Sequence, residues 1–525
     1  MCGIIVASRV LEKKDIKESL RKIHKRGPDQ EKILIQDGYT FMFSRLAIMG
    51  LTVEGMQPFS YKGNILVTNG EIYNYKDIKN SLLSKYDFKS GSDCEVLLPL
   101  YDELGVDMFS TLDAEFAIVL YDKAKNTLVA GRDPLGIRPL FYGYLKSSNK
   151  IIFSSEVKAI SHLVDFAHPF PPGHYYIDGK FIEFQNITNI ENFSNDTLQD
   201  TIENIRIKLE HAIIKRLDSD APIGFLLSGG LDSSIVCSVA QKHLGKKIKT
   251  FIIGMDTDPI DLKYAKVVSD YLGTDHTEVI MNKEDVLNCI EEVIYSLESY
   301  DITTIRASIG MYIISKYINE NTDVKVLMTG EVSDELFGYK YTDYAPSPIE
   351  FQKECKKRID EIYQYDVLRA DRCLASNSLE ARVPFGDIDF AKYVMSINPM
   401  VKMNVYSMGK YLLRKAFEGE YLPKDILYRD KAAFSDAVGH SMVDYIKEYA
   451  NNYYSEADFK KKITQYKNPT PFTKESLLYR ELFEKHYPNH SYLVRDYWMP
   501  NKTWDGCNVD DPSARVLKNY GDSGK

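Results

Sequence analysis

Phe225-Leu226-Leu227-Ser228-Gly229-Gly230-Leu231-Asp232-Ser233-Ser234-Ile235-Val236-Cys237 is the stretch on which the reading of this chain turns. The apolar run Ile223 to Leu227 reads as a buried strand, and the segment after Asp232 carries the apolar period of a helix. A strand that feeds a glycine-rich turn opening a helix is an anion site, because backbone N–H groups converge there and the helix dipole favours negative charge. Ser228, Ser233 and Ser234 add hydroxyl donors. Asp232 is out of place in a phosphate cradle unless it holds a cation that travels with the phosphates. The spacing is not that of the Gly-x4-Gly-Lys-Ser/Thr loop. The plain alternative is a strand-to-helix turn rich in capping residues.

Bulk properties set the frame. A chain of 525 residues exceeds one hydrophobic core and suggests two to four domains. Hydrophobic content of 44% and charged content of 27% are those of an ordinary globular protein. With 66 basic and 75 acidic residues the net charge is −9, which gives no general attraction to nucleic acid or an anionic membrane. No uncharged run reaches the ~18–20 residues of a membrane span, and the N-terminus turns polar too soon for a signal peptide. Seven cysteines without a Cys-x-x-Cys pair argue against a disulfide framework or zinc ribbon and for a reducing, cytoplasmic setting.

Read in order, the first ~190 residues give short strands at Gly3 to Ala7, Tyr39 to Ile48, Asn64 to Val67, Glu115 to Tyr121, Thr127 to Ala130 and Ile151 to Ser154, with a helix over Asp93 to Leu104. Lys123-Ala124-Lys125-Asn126 reads as a hairpin turn. That mix predicts layered sheets with helices outside. Pro169 to Gly173 breaks regular structure, and Asn186 to Asp196 reads as a linker. Beyond it, Ile202, Ile205, Leu209, Ile213 and Leu217 recur at helical spacing, with Asp200-Thr201 as the expected cap. Strands at Ile223–Leu227, Thr250–Met255 and Val324–Met328 then alternate with helices, the pattern of a parallel sheet. From about Glu350 the chain reads as mostly helical.

Cys2 has a chemistry of its own if Met1 is removed. Its α-amine, with a reference pKa of about 7.7–8.0, can serve as base for its thiol, at about 8.5, with no histidine needed. The surrounding motifs resemble the class II glutamine amidotransferases: Met1-Cys2-Gly3-Ile4, Arg26-Gly27-Pro28-Asp29, Arg45-Leu46-Ala47-Ile48, Asn69-Gly70-Glu71-Ile72-Tyr73-Asn74, Gly91-Ser92-Asp93-Cys94-Glu95 and Gly131-Arg132-Asp133-Pro134-Leu135-Gly136. The resemblance implies an α+β N-terminal-nucleophile glutaminase domain, an αββα sandwich, over residues 2–190. It implies Cys2 as nucleophile and the Asn69 side-chain amide and Gly70 N–H as oxyanion donors. It also implies a glutamine site made by Arg45, Leu46, Ala47, Ile48, Met49, Asn69, Gly70, Glu71 and Asp93. Within it Arg45 suits the substrate carboxylate, and Asp93 with Glu71 the ammonium. Two departures, Lys25 (with His24 one earlier) before Arg26 and Ser44 before Arg45, remove no group the chemistry needs.

The second half resembles the asparagine synthetases through Tyr300-Asp301-Ile302-Thr303-Thr304-Ile305-Arg306-Ala307-Ser308, Thr329-Gly330-Glu331-Val332-Ser333-Asp334-Glu335-Leu336-Phe337-Gly338, Glu380 to Phe385, Lys431 to Asp436 and Asp510 to Ser513. The implied domain, 191–525, is an α/β parallel-sheet ATP-pyrophosphatase with a largely helical C-terminal part. The implied chemistry activates the aspartate β-carboxylate as an acyl-adenylate. ATP and pyrophosphate would contact Leu226, Ser228, Gly229, Gly230, Asp232, Ser233, Ile253, Thr329, Gly330 and Lys431. Asp232 and Asp334 would hold Mg2+, and Asp301, Thr304 and Arg306 would read aspartate. Glu331 would manage protons as ammonia attacks, with ammonia reaching it from Cys2 through an internal tunnel. The small-molecule partners are then glutamine, aspartate and ATP, and a homodimer is left open. Val332 and the single Gly338 stand where the family usually has glycine and a glycine pair. A β-branched residue resists φ > 0, so if the family's glycine serves backbone freedom the loop must differ, and the expectation is retained but slowed chemistry. Two alternatives compete: a relative that activates another carboxylate, as in β-lactam-forming synthetases, and a catalytically dead scaffold.

Overall fold

The computed structural model describes residues 1–257, 259–430 and 439–520. The chain divides into two compact units. One comprises Met1–Asn186 with the short returns Asp218–Pro222 and Leu374–Ala381; the other comprises Ile187–Leu217, Ile223–Cys373 and Arg382–Lys525. The two returns belong to the first unit for local reasons. Asp220 accepts the Gly50 N–H at 2.8 Å and donates its own N–H to Ile48 O at 3.1 Å. The Ser378 hydroxyl donates to Lys25 O at 2.8 Å. Contacts of this kind join distant parts of the chain and leave no local periodicity.

The first unit is built on two six-stranded sheets, each antiparallel throughout. Gly3–Ala7 lies inside one sheet, between Tyr39–Arg45 and Ile151–Ser154. Asn64–Ile72 lies inside the other, against Ala114–Asp122. Strand parity explains the layering. Ile65, Val67, Ala117 and Val119 join Ile4, Val6, Phe41 and Phe43 in the core between the sheets. The alternate residues Leu66, Ile118 and Leu120 pack on the other face with Leu97, Leu100 and Tyr101 of the helix Leu97–Leu104. Helix Lys13–Ile23 covers the first sheet and buries Ile16, Leu20 and Ile23. The result is the expected αββα sandwich.

Several predicted elements shift. Asp93–Val96 is a 3-10 turn and the helix proper starts at Leu97, because Ser92 caps the turn by accepting the Cys94 N–H at 3.3 Å. Gln30–Gln36, an exposed edge strand, and the short strands from Val164 to Glu183 had no apolar run to announce them.

The second unit centres on parallel strands in the order Asp275–Met281, Lys249–Met255, Ile223–Leu226, Val326–Met328. At the far edge, Arg382 O accepts the Thr329 N–H at 3.0 Å. Helices follow each strand, and the chain beyond Pro348 is mainly helical, as expected. Asp275–Met281 escaped the sequence reading because its sequence, Asp-His-Thr-Glu-Val-Ile-Met, is polar at an outer strand. Helix Leu198–Lys215 is capped by Thr197, whose hydroxyl accepts the Asp200 N–H, rather than by Asp200 itself.

Val332 corrects the expectation of an altered loop. It adopts the left-handed conformation that glycine would take, at φ 78° and ψ −18°, and opens the helix Ser333–Phe337. Its side chain is 1% exposed, so packing holds it there. A β-branched residue in this region costs about 1–3 kcal/mol, whereas burying a valine contributes about 1.5–3 kcal/mol. The two nearly offset. Val332→Gly should therefore move the thermal unfolding midpoint by less than about 4 °C, where an ordinary buried Val→Gly would lower it by more; a drop approaching 10 °C would show that the backbone is unstrained.

Candidate active sites

In the first unit, Cys2 precedes an interior strand and is only partly buried. Its backbone N–H donates to Asn69 Oδ1 at 2.9 Å, and its Sγ lies 3.7 Å from Leu46 O. Asn69, 1% exposed, uses its amide in two ways. The oxygen fixes the Cys2 nitrogen, while Nδ2 is buried with no hydrogen-bond partner among the described residues. A buried amide left unpaired costs roughly 1–3 kcal/mol, and such a group beside a thiol is poised for an oxygen that bears charge only during reaction. Gly70 follows on the same strand, paired with Phe116.

The cavity at Cys2 is walled by Arg45, Leu46, Ile48, Met49, Asn69, Gly70, Glu71 and Asp93, joined by Gln57, Ser92 and Glu380. Of the expected glutamine contacts only Ala47 is not on that wall; its N–H donates to Asp29 at 2.8 Å. Arg45 gives three of its five N–H groups to Gln30 Oε1 at 3.1 Å, Thr52 O at 2.9 Å and Gly50 O at 2.5 Å, so it ties down the loop that frames the cavity. Asp93 accepts the Ile72 N–H at 2.8 Å. Burial pushes the Cys2 thiol above its usual pKa.

Met1 is buried beside this site. Its ammonium stands 3.8 Å from Glu380, and burial lowers its pKa to about 6 against the pull of that carboxylate. With Met1 present the Cys2 nitrogen is a peptide N–H and not yet a base. Sequence reasoning gave no role to Arg26 or Glu380. Arg26 Nε donates to Cys2 O at 3.0 Å and its Nη1 to Glu156 at 2.7 Å, which anchors the start of the chain. The only signal was that both fall in recognisable motifs.

In the second unit, the Ser228–Ser234 loop opens the main cleft. Gly229 has φ 68°, and a Cβ there would lie 2.4 Å from Ala265 N, so no other residue fits. The Ser228 N–H donates to Ser233 Oγ at 3.2 Å and the Gly230 N–H to Ser228 Oγ at 3.3 Å, which curls the loop into the helix Leu231–Leu244. Ser234 Oγ is buried without a hydrogen-bond partner among the described residues. Gly330, at the end of the neighbouring strand, comes so near that a Cβ would sit 3.0 Å from Ser233 N. That approach brings Asp334 to Asp232. One ammonium, Lys410 Nζ, contacts Asp232 at 2.8 and 2.7 Å, Asp334 at 2.6 Å and Ser333 Oγ at 2.9 Å.

Leu226, Ser228, Gly230, Ile253, Thr329 and Glu331 all face this cleft, with Lys340, Arg414 and Arg429 among the cations around it. Gly229 reaches Arg429 through its carbonyl, at 3.2 Å. Burial pushes the Glu331 carboxyl above its usual pKa, while its ion pair with Arg369 pulls the other way. Arg369 in turn binds Asp366 at 2.9 Å. Lys431 lies outside the described residues. Arg369 went unseen in the sequence because it sits within the helix Asp366–Ala375, and Lys410 and Arg429 because they lie beside short helices with no glycine-rich turn to mark them.

The expected aspartate-reading segment divides. Thr303 and Arg306 face the cleft. Asp301 and Thr304 are turned inward: Asp301 caps the helix Ile302–Asn321 by accepting the Thr304 N–H at 2.8 Å and hydroxyl at 2.7 Å, and also takes the Trp498 N–H at 2.7 Å. Burial raises its pKa to about 6. Arg306 commits all five N–H groups, to Glu475 at 2.8 and 2.6 Å, Asp511 at 3.0 and 3.2 Å, and Ser513 at 2.8 Å.

Comparison with known proteins follows the same division. Residues 1–172 match a glutamine amidotransferase domain, and 204–352 with 345–508 match asparagine synthase. A probable glutamine-hydrolysing asparagine synthetase of Acanthamoeba polyphaga mimivirus is 39% identical, over 98% of this chain and all of that one. The human asparagine synthetase (glutamine-hydrolysing) is 39% identical over 96% of each chain, and a third form from Arabidopsis thaliana is 41% identical over 93% of this chain and 88% of its own. The chain belongs to the glutamine-hydrolysing asparagine synthetases. As a member it is a ligase, and the scaffold and other-carboxylate readings fall away. No helix among the described residues is long and apolar enough to cross a membrane. For an asparagine synthetase built this way, Asn69→Ala should lower glutamate release from glutamine by ~10²–10³-fold in kcat and leave ammonia-driven asparagine formation intact; equal loss of both activities would place Asn69 outside the oxyanion site.

Proposed function

We propose that the two sites divide one reaction: glutamine is hydrolysed at Cys2, and the ammonia is used in the second cleft to convert aspartate and ATP into asparagine, AMP and pyrophosphate. Residues 2–190 would carry the first step and 191–525 the second. The observation that carries the reading is the meeting of Asp232 and Asp334, from two strand ends, on one cation at the mouth of the Ser-Gly-Gly loop, with Glu331 in the same cleft. Seven cysteines, all free thiols, fit a reducing cytoplasmic setting.

At the first site, removal of Met1 turns the Cys2 nitrogen into an amine already held by Asn69 Oδ1, close to its own thiol. The thiolate adds to the glutamine carboxamide, Asn69 Nδ2 and the Gly70 N–H receive the oxyanion, and the protonated amine passes its proton to the departing ammonia; water then adds to the thioester carbonyl, the C–S bond breaks, and glutamate and the Cys2 thiol are released. Arg45 has N–H groups left to meet the substrate carboxylate, with Glu71 and Asp93 facing its ammonium.

At the second site, a β-carboxylate oxygen of aspartate bonds to the α-phosphorus while the bond to the β-phosphate oxygen breaks. N–H groups at the start of the helix Leu231–Leu244 receive the pyrophosphate, helped by Lys410 and Lys431. Two carboxylates within reach of one cation suit Mg2+, which binds through one or two carboxylates plus phosphate oxygens; among the described residues no larger cluster of ligands exists. Held there, Mg2+ would neutralise charge on the leaving group. Ammonia then adds to the acyl-adenylate carbonyl, Glu331 takes the surplus proton, and AMP leaves. Thr303 and Arg306 contact aspartate, with Asp301 and Thr304 fixing the helix that presents them; Arg306 does so as Asp511 gives up its hold.

Cys2→Ala should abolish glutamate production while ammonia still drives pyrophosphate release. Glu331→Gln should lower ammonia-driven synthesis ~10²–10⁴-fold and spare glutamine hydrolysis. Pyrophosphate released without aspartate would overturn the assignment of the acceptor.

A further inference from the structure

Lys410 stands where the two carboxylates converge, and its surroundings make it more than a counter-ion. Its side chain is 3% exposed, against 16% for Asp232 and 23% for Asp334, so the ammonium lies deeper than the oxygens it binds. Four oxygens from three residues on two elements surround its three N–H donors: both of Asp232, one of Asp334 and the Ser333 hydroxyl, the last of which also donates to Asp232 at 2.7 Å. The residue sits at φ 57°, ψ 34° and caps the helix Tyr411–Ala416, which fixes where its stem begins. The four-carbon stem leaves the charged end free to swing.

We propose that Lys410 closes the Asp232–Asp334 pair to free divalent cations, so that magnesium enters only together with the nucleotide phosphates, onto which the ammonium then moves. The proposal rests on the reading of these carboxylates as magnesium ligands. Charge accounts for the order. Two carboxylates offer −2, the ammonium already answers half of it, and a divalent ion added alone would put two cations within a few ångströms of each other in a low-dielectric cleft. Polyphosphate reverses that balance, because its oxygens complete the metal shell and receive the displaced ammonium. Lys410 is in this sense a gatekeeper for the metal and a phosphate contact after it enters.

The test titrates Mn2+, as a stand-in for Mg2+, into the full-length protein without nucleotide, and reads bound metal by paramagnetic resonance. Lys410→Met, which keeps the stem and removes the charge, should bind free Mn2+ at least tenfold more tightly than the unaltered chain, and Asp334→Asn added to it should abolish the gain. With a non-hydrolysable ATP analogue present the ranking should invert, the unaltered chain holding the metal–nucleotide complex more tightly. Circular dichroism melting without metal confirms that the variant is folded, and Lys410→Arg, which restores the charge, should restore exclusion of free Mn2+. Equal affinity of the unaltered chain and Lys410→Met for free Mn2+ would overturn the gate and leave the metal site standing. Absence of metal binding in every form, with or without nucleotide, would overturn the metal site itself and the gate with it.

Discussion

The synthetase cleft depends on how closely two strand ends approach each other. Gly330 comes near enough to the Ser228–Ser234 loop that even a methyl group would press on the Ser233 N–H, and this sets Asp334 beside Asp232. Two carboxylates at that separation repel strongly in a low dielectric and require a shared cation. Lys410 supplies it here, with Ser333 as a further hydrogen-bond partner. The neighbouring acidic groups obey the same constraint. Arg369 bridges Glu331 and Asp366, while Glu335, held above its usual pKa by burial and by Asp366, shares the Tyr339 hydroxyl with that residue. The cleft is thus an acidic site whose cations, Arg369, Lys410, Arg414 and Arg429, come from late in the chain.

The glutaminase site meets a different constraint with one residue. A thiol that attacks a carboxamide needs its base nearby and a neutral donor on the far side of the carbonyl. Asn69 is placed to serve both needs under the proposed reading, since its oxygen holds the Cys2 nitrogen and its Nδ2 is buried with no partner among the described residues. Unpaired buried amides are rare because they cost stability. The strand Asn64–Ile72 carries this cost with ease, as it is paired along its length with Ala114–Asp122 and packed on both faces.

How much of this could be read beforehand follows from where each signal resides. Strand and loop motifs were legible as places because their geometry is local: the Ser-Gly-Gly loop, Asn69-Gly70 and Gly330-Glu331 each line a cleft through neighbours in sequence. Asp301 was read as a substrate contact because a charged residue in a motif suggests a ligand. A helix-capping aspartate has the same sequence signature, and only three-dimensional structure separates them. Arg306 was legible as important, but its two carboxylate partners lie 169 and 205 residues away. Lys410 had no signal, because a lysine ahead of a short helix is ordinary until the fold carries it to two aspartates. The short returns Asp218–Pro222 and Leu374–Ala381 were illegible for the same reason.

Val332 shows why the rule about β-branched residues misled. The rule prices the backbone alone, whereas the fold prices the backbone together with the side chain. Glu331 faces the cleft while Asp334, three residues on, shares Lys410 with Asp232, and Val332 makes the left-handed turn between them. Glycine would take the turn without strain but would add nothing to the core. Valine strains the backbone and fills a buried site, and the helix it opens still forms, since the Leu336 N–H bonds Val332 O at 3.2 Å. A strained residue held by packing also has fewer ways to relax than a glycine. Valine at this position therefore stiffens the link between Glu331 and Asp334, and the turn is held by packing rather than by backbone freedom.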